Sequence, residues 1–278
     1  MSLLLGMVAA VAWGVHDLCV RHVSQTTGIF ASLIAVLVFG TVLVIPISLY
    51  AWGEPMGENA LRLSILSGVC FGLAAIAHYK AFSIGPVRLV APIIGSYPIL
   101  SVGWAMASGS SVTLLQWIAV GMVIAGVGYV ASSDSEESAG QGPLPAILWS
   151  IAAGSGFAIT FAIGQSAVSH GGELALLAPT RVAAVVIVVA IALVLKVNWI
   201  AGGKGLWILA LMGVLDAVAL GSVLSAGGFP NPEFAAVAAS TFGLITVVLA
   251  ALFLRERITA LQCVAVLCVF AAIGYLAL

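Results

Sequence analysis

The chain has 278 residues, 63% of them hydrophobic and only 7% charged, with a formal net charge of −1. At a mean hydropathy of +1.24 it lacks the polar residues to clothe an apolar core, which excludes a water-soluble globular domain. The near-neutral balance supplies neither a basic face for nucleic acid nor an acidic tail for a cationic partner.

Apolar runs separated by Gly, Pro or charge fall near residues 2–22, 28–52, 61–83, 86–108 and 113–132, then near 144–169, 174–196, 205–227, 232–254 and 258–277. A helix needs roughly 20 apolar residues to cross a hydrocarbon core. The runs therefore predict an all-α integral membrane protein of ten transmembrane helices. The first run lacks a basic flank and an evident small-residue cleavage site, so it reads as a retained crossing rather than a signal peptide. Cys19, Cys70, Cys263 and Cys268 sit inside apolar runs without metal-ligand spacing and read as small packing residues. No cofactor or metal site is read from the sequence.

A frame shift of 146 lays residues 86–129 on residues 232–275 without a gap, matching Pro86 with Pro232, Gln116 with Gln262, Gly128 with Gly274 and Tyr129 with Tyr275. The chain reads as one unit written twice, residues 1–133 and 144–278, joined by a polar, acidic, Gly/Ser-rich linker over 134–143. Each copy carries an odd number of crossings, so the second enters the bilayer in the opposite sense. Two inverted five-helix repeats around a central cavity are expected, as in secondary transporters.

Ionisable side chains in a bilayer core face a cavity or a partner, so the few present mark where function sits. In the first helix Gly6, Ala9, Ala10, Trp13, His16 and Asp17 share one face, which should look inward. Two readings of His16 and Asp17 stay open: a cavity role, or a surface position pairing with Arg21. The third helix carries Ser64, Ser67, Phe71, Ala74 and His78 along a face, with Tyr79 beside it, while Lys80 snorkels toward the headgroups. His78 and Tyr79 can each offer a ring and a hydrogen bond to cargo. Pro92 and Pro98 should interrupt the fourth helix around Tyr97, and the matching segment of the ninth places Ser240, Thr241, Phe242 and Gly243 at the same depth. Asp216, deep in the eighth helix, either bridges to Arg181 or handles a proton or a cargo ammonium; Glu233 opens the ninth helix. Gly68-x-x-x-Gly72 and Gly154-Ser155-Gly156 read as close helix contacts.

The motifs Ala12-Trp13-Gly14, Tyr79-Lys80-Ala81-Phe82, Pro86, Ala91-Pro92, Tyr97-Pro98 and Leu254-Arg255-Glu256-Arg257-Ile258-Thr259 with Gln262 resemble the drug/metabolite transporter superfamily, in its ten-helix branch of two EamA-type repeats. The resemblance covers the whole chain; within it, the first helix and His78-Tyr79 are similar to bacterial exporters of aromatic and other amino acids. Gly109-Ser110 departs from the pattern by standing where Arg255-Glu256 stand in the second copy. The resemblance implies a multi-pass protein of the bacterial inner membrane acting on a small-molecule substrate; the internal duplication makes a monomer sufficient, and alternating access of the two halves is expected, with facilitated diffusion open beside proton coupling. Odd-numbered loops hold Arg21, Arg88, Lys196, Lys204, Arg255 and Arg257 against Arg62 alone in the even ones, which by the positive-inside rule puts both termini outside. The resemblance implies cytoplasmic termini instead, and that placement is preferred.

The expected function is export of small metabolites, amino acids including aromatic ones foremost, through a site of Trp13, His16, His78, Tyr79, Tyr97, Ser240 and Phe242. Asp17, Asp216 and Arg181 are possible proton or charge sites. The alternative is proton-coupled efflux of lipophilic or quaternary ammonium drugs, which would depend on Asp17 or Asp216. A phosphate cargo would need cationic clamps, for which Arg181 is the one interior candidate in the sequence. An enzyme is not expected, since no His-Glu-x-x-His, Gly-x-Ser-x-Gly or paired acidic motif occurs.

Overall fold

The structure is a computed structural model that describes residues 1–50, 57–100, 113–133, 143–168, 172, 174–203, 205–230, 232–254 and 258–276. The linker over 134–142, Gly109-Ser110, Lys204 and the turn over 255–257 lie outside the described residues, as does the side chain of Glu233.

The first half comprises α1 (Ser2–Thr26), α2 (Ile29–Tyr50), α3 (Glu58–Ile84), α4 (Val87–Gly95) and α5 (Leu114–Ser133). The second comprises α6 (Leu144–Val168), α7 (Leu177–Val194), α8 (Leu206–Ser225), α9 (Glu233–Ser240), α10 (Phe242–Leu249) and α11 (Ala260–Leu276). Among the described residues there are helices and no strands, and a helix keeps its peptide hydrogen bonds inside its own segment, as a bilayer demands. Seven helical segments are long and apolar enough to cross a membrane, and Val87–Leu100, Leu114–Gly126 and Ala260–Tyr275 form shorter apolar helices among the described residues. Exposed Leu3, Leu4, Val42, Leu115, Val186, Trp207 and Phe253 present the apolar surface that lipid requires.

The broken helices differ in one respect from the sequence expectation. α4 runs straight through Pro92, and the break comes after Gly95, at Ser96 and Tyr97. Pro92 removes a single amide and sits in a buried helix that other contacts hold, whereas Pro98 opens the next helical turn, where a missing N–H costs nothing. The second copy breaks at Thr241, the position that the 146-residue shift lays on Gly95. At the crossing, a Cβ on Gly95 would stand 2.8 Å from the Ser240 carbonyl, and one on Gly243 would stand 2.8 Å from the Ala91 carbonyl.

Packing between halves is reciprocal. α3 lies on α6 while α1 lies on α8; α3 meets α7 while α2 meets α8; α4 touches α6 while α1 touches α9 and α10; α5 and α11 pair with each other. Small residues set the spacing: at Gly68 a Cβ would fall 2.1 Å from the Thr180 carbonyl, and at Gly72 2.5 Å from Ile187, so both ends of the Gly-x-x-x-Gly stripe are contact points against α7.

Candidate functional site

The helices of both halves converge on a cavity lined by Trp13, His16 and Asp17 of α1, Leu33, Val36 and Leu37 of α2, and Phe71, Ala75, His78 and Tyr79 of α3. Tyr97 from the α4 break, Phe157 and Phe161 of α6, Asp216 of α8 and Phe242 of α10 complete the wall. Trp13 stacks on Phe161 with centroids 5.6 Å apart and meets Phe242 edge-on at 6.3 Å. Phe161 lies parallel to Phe157 at 6.2 Å and takes the edge of Tyr97 at 5.6 Å. The interlocked rings narrow the centre of the cavity.

Two buried polar clusters border the cavity. In the first, Asp216 accepts at Oδ1 from the Trp13 indole N–H at 3.0 Å and at Oδ2 from Arg181 at 2.5 Å. Arg181 is 1% exposed, lies 5.4 Å over the Phe71 ring and keeps Nη2 without a hydrogen-bond partner. Each of these two groups removed from water offsets the charge of the other. This arrangement realises the bridge expected between Arg181 and Asp216.

The second cluster joins α1 to α3. The Asp17 carboxylate, 0% exposed, lies 2.9 Å from His16 Nδ1 through Oδ1, and 3.2 Å from His78 Nε2 through the same oxygen. A carboxylate at Nδ1 places the His16 proton there, which leaves Nε2 facing the Tyr79 hydroxyl at 3.5 Å. The His78 contact is off hydrogen-bonding alignment, so neither of its ring nitrogens has a hydrogen-bond partner, and neither has Asp17 Oδ2. The cavity therefore has an unsatisfied carboxylate oxygen on an aromatic wall.

Of the residues expected from the sequence, Trp13, His16, Asp17, His78, Tyr79, Tyr97, Phe242 and Asp216 line this cavity. Ser240 is not among the lining residues: its hydroxyl donates to the Val237 carbonyl at 2.7 Å, satisfied within its own helix at the crossing with α4. The alternative pairing of Asp17 with Arg21 gives way to the His16 and His78 contacts, while Arg21 donates to the Phe82 carbonyl at 2.6 Å. Phe157 and Phe161 went unrecognised as site residues, although their i, i+4 spacing just after Gly154-Ser155-Gly156 was a usable signal. Leu33, Val36 and Leu37 had no such signal, being three apolar residues in a uniformly apolar helix.

The sequence profile of the EamA-like transporter family matches residues 1–132 and matches again over 144–278. The chain belongs to the EamA-like transporter family. The two matches divide it at the polar linker. No curated protein sequence matches the chain. A solved crystal structure is similar in fold, with a TM-score of 0.71 over 99% of this chain and 97% of the other at 13% sequence identity. As an EamA-like transporter the protein is a multi-pass membrane protein of a family that carries small solutes rather than catalysing reactions.

Proposed function

We propose that this EamA-like transporter exports small metabolites, foremost amino acids including aromatic ones, across a bacterial inner membrane by alternating access of two inverted halves. The observation that carries the reading is Asp17 Oδ2, a buried carboxylate oxygen without a partner on the wall of a ring-lined cavity. A cargo ammonium supplies the missing donors, and the rings of Trp13, Phe157 and Phe161 receive an apolar side chain. Because Asp216 already neutralises Arg181, phosphate-bearing cargo is disfavoured.

Reciprocal packing of the halves supports the pseudo-two-fold arrangement, since each pairing of unlike helices recurs with the halves exchanged. Two basic residues counted toward external termini are helix residues in the structure: Arg21 bonds to Phe82, and Arg88 is buried at the start of α4. Without them Lys196, Lys204, Arg255 and Arg257 still outnumber Arg62, itself a helix residue, so the cytoplasmic placement of the termini rests on the family resemblance alone. With both halves on one chain, the monomer suffices.

A second reading, proton-coupled efflux of lipophilic or quaternary ammonium cations, draws on the same carboxylate among aromatic faces. Counterflow in proteoliposomes separates the two. Labelled phenylalanine should exchange against unlabelled amino acids without a pH gradient. Silence toward amino acids together with gradient-dependent flux of a quaternary ammonium compound would establish the second reading in its place.

A further inference from the structure

His16 and Asp17 on α1 and His78 on α3 bring two imidazole nitrogens and a carboxylate oxygen together, with one ligand atom from each residue within 4.8 Å of the others. All three side chains are buried, at 4%, 0% and 5% exposure. Among the described residues Asp17 Oδ2 and both ring nitrogens of His78 lack hydrogen-bond partners, so the group holds lone-pair capacity that these neighbours leave unused.

Arg181 is engaged by Asp216 in the other cluster, and the Asp17 carboxylate meets the imidazoles of His16 and His78 with no Lys or Arg ion pair among the described residues. An uncompensated carboxylate inside a bilayer is costly, and a cation on it removes that cost. The donor set discriminates among cations. Mg²⁺ and Ca²⁺ prefer shells made of oxygen, whereas imidazole nitrogens with one carboxylate suit divalent d-block ions of the Zn²⁺ class. Ligands about 2.0–2.2 Å from such an ion stand roughly 3–4 Å from one another; the three donor atoms lie within 4.8 Å of one another, so small side-chain rotations close the set around an ion. The Tyr79 hydroxyl at 3.5 Å from His16 Nε2 supplies the outer partner that orients a ligating imidazole bound through Nδ1.

We propose that His16, Asp17 and His78 bind a divalent transition-metal ion of the Zn²⁺ class, leaving one coordination position toward the cavity. Such an ion ties α1 to α3 on the cavity wall and occupies the carboxylate. The ion takes the carboxylate that the amino-acid reading gives to a cargo ammonium, so the two compete at Asp17; metal binding measured without cargo, and counterflow repeated in chelator-stripped proteoliposomes, keep the failure of one distinguishable from the failure of the other.

The experiment is a titration of the full-length, chelator-stripped protein in detergent with ZnCl₂, followed by thermal unfolding, and with CoCl₂, followed by visible absorption. Saturable stabilisation at a stoichiometry of one, with the intense absorption of four-coordinate Co²⁺, is expected. His16→Gln, His78→Gln and Asp17→Asn should each weaken Zn²⁺ binding by about 10-fold or more, whereas His22→Gln and His170→Gln, at the chain's other two histidines, should leave it unchanged. The unfolding temperature of each variant without metal reports whether it folds; Asp17→Asn, nearly isosteric, is the variant least prone to misfold. Unchanged affinity in the three triad variants, loss of affinity in the His22 or His170 variants, or no saturable binding to wild type would each overturn the proposal.

Discussion

At Asp216 two donors from different helices meet one carboxylate: the Trp13 indole on Oδ1 and the Arg181 guanidinium on Oδ2. Asp216→Asn keeps the shape and leaves Arg181 charged and uncompensated, so it should destabilise the protein by about 3–5 kcal/mol, whereas the paired change Arg181→Met with Asp216→Leu should recover most of that loss. Denaturant unfolding in micelles measures both, and a double variant as unstable as the single one would show that the pair is more than mutual neutralisation. Asp17 differs in having an oxygen to spare. A charged hydrogen bond from a cargo ammonium contributes about 1.5–3 kcal/mol, so Asp17→Asn should lower amino-acid flux in proteoliposomes by about 10-fold or more. Flux at the wild-type rate would remove Asp17 from the binding site. The polar residues of this site were legible in the sequence because ionisable groups are rare in apolar helices. Phe157 and Phe161 were not recognised, because an aromatic residue in an apolar helix serves lipid contact and cavity lining equally well.

At the scale of elements, the repeat explains itself at one place where its residues act locally. Thr113 and Gln116 bond reciprocally, Thr113 N–H to Gln116 Oε1 at 2.8 Å and Gln116 N–H to Thr113 Oγ1 at 3.3 Å, at the start of α5. Thr259 and Gln262 repeat the pattern at the start of α11, at 2.9 and 3.2 Å. The matched glutamines are thus halves of capping boxes, which satisfy two amides that have no partner within the helix. Gln262→Ala should cost about 1 kcal/mol in denaturant unfolding, with loss of amide-exchange protection confined to the first turn of α11. A loss spread over the whole helix would contradict a purely local role. The end of α7 offers the opposite case. Lys196 adopts φ 53°, and the Val197 N–H reaches back to the Ala192 carbonyl at 3.2 Å, a closing turn that favours glycine. Lys196→Gly should stabilise the protein by about 1 kcal/mol in the same assay, since a side chain in the left-handed region carries a steric penalty that glycine lacks. No change, or destabilisation, would show that the lysine itself holds the turn.

For the whole molecule, the principal packing runs between the halves: α3 lies on α6 and α7, and α1 on α8, α9 and α10. Residues 1–133 and 144–278 expressed as separate chains in one cell should therefore assemble and transport, while either alone should be degraded; activity from one half would refute the shared cavity. The sequence alone established the membrane class, the two copies and the family, because hydropathy, repeat register and motif identity are properties of consecutive residues and survive without knowledge of how helices cross. It also offered the Arg181–Asp216 bridge as one of two readings of Asp216, and it singled out the polar residues that line the cavity. Tertiary structure alone decided that Asp17 faces His78 rather than Arg21, that Ser240 satisfies itself within its helix while Tyr97 and Phe242 reach the cavity, and that α4 breaks after Gly95 rather than at Pro92. Those outcomes depend on which faces of α1, α3, α4 and α9 meet, and that is set by glycine contacts such as Gly95 against Ser240 and Gly68 against Thr180, between residues more than a hundred positions apart.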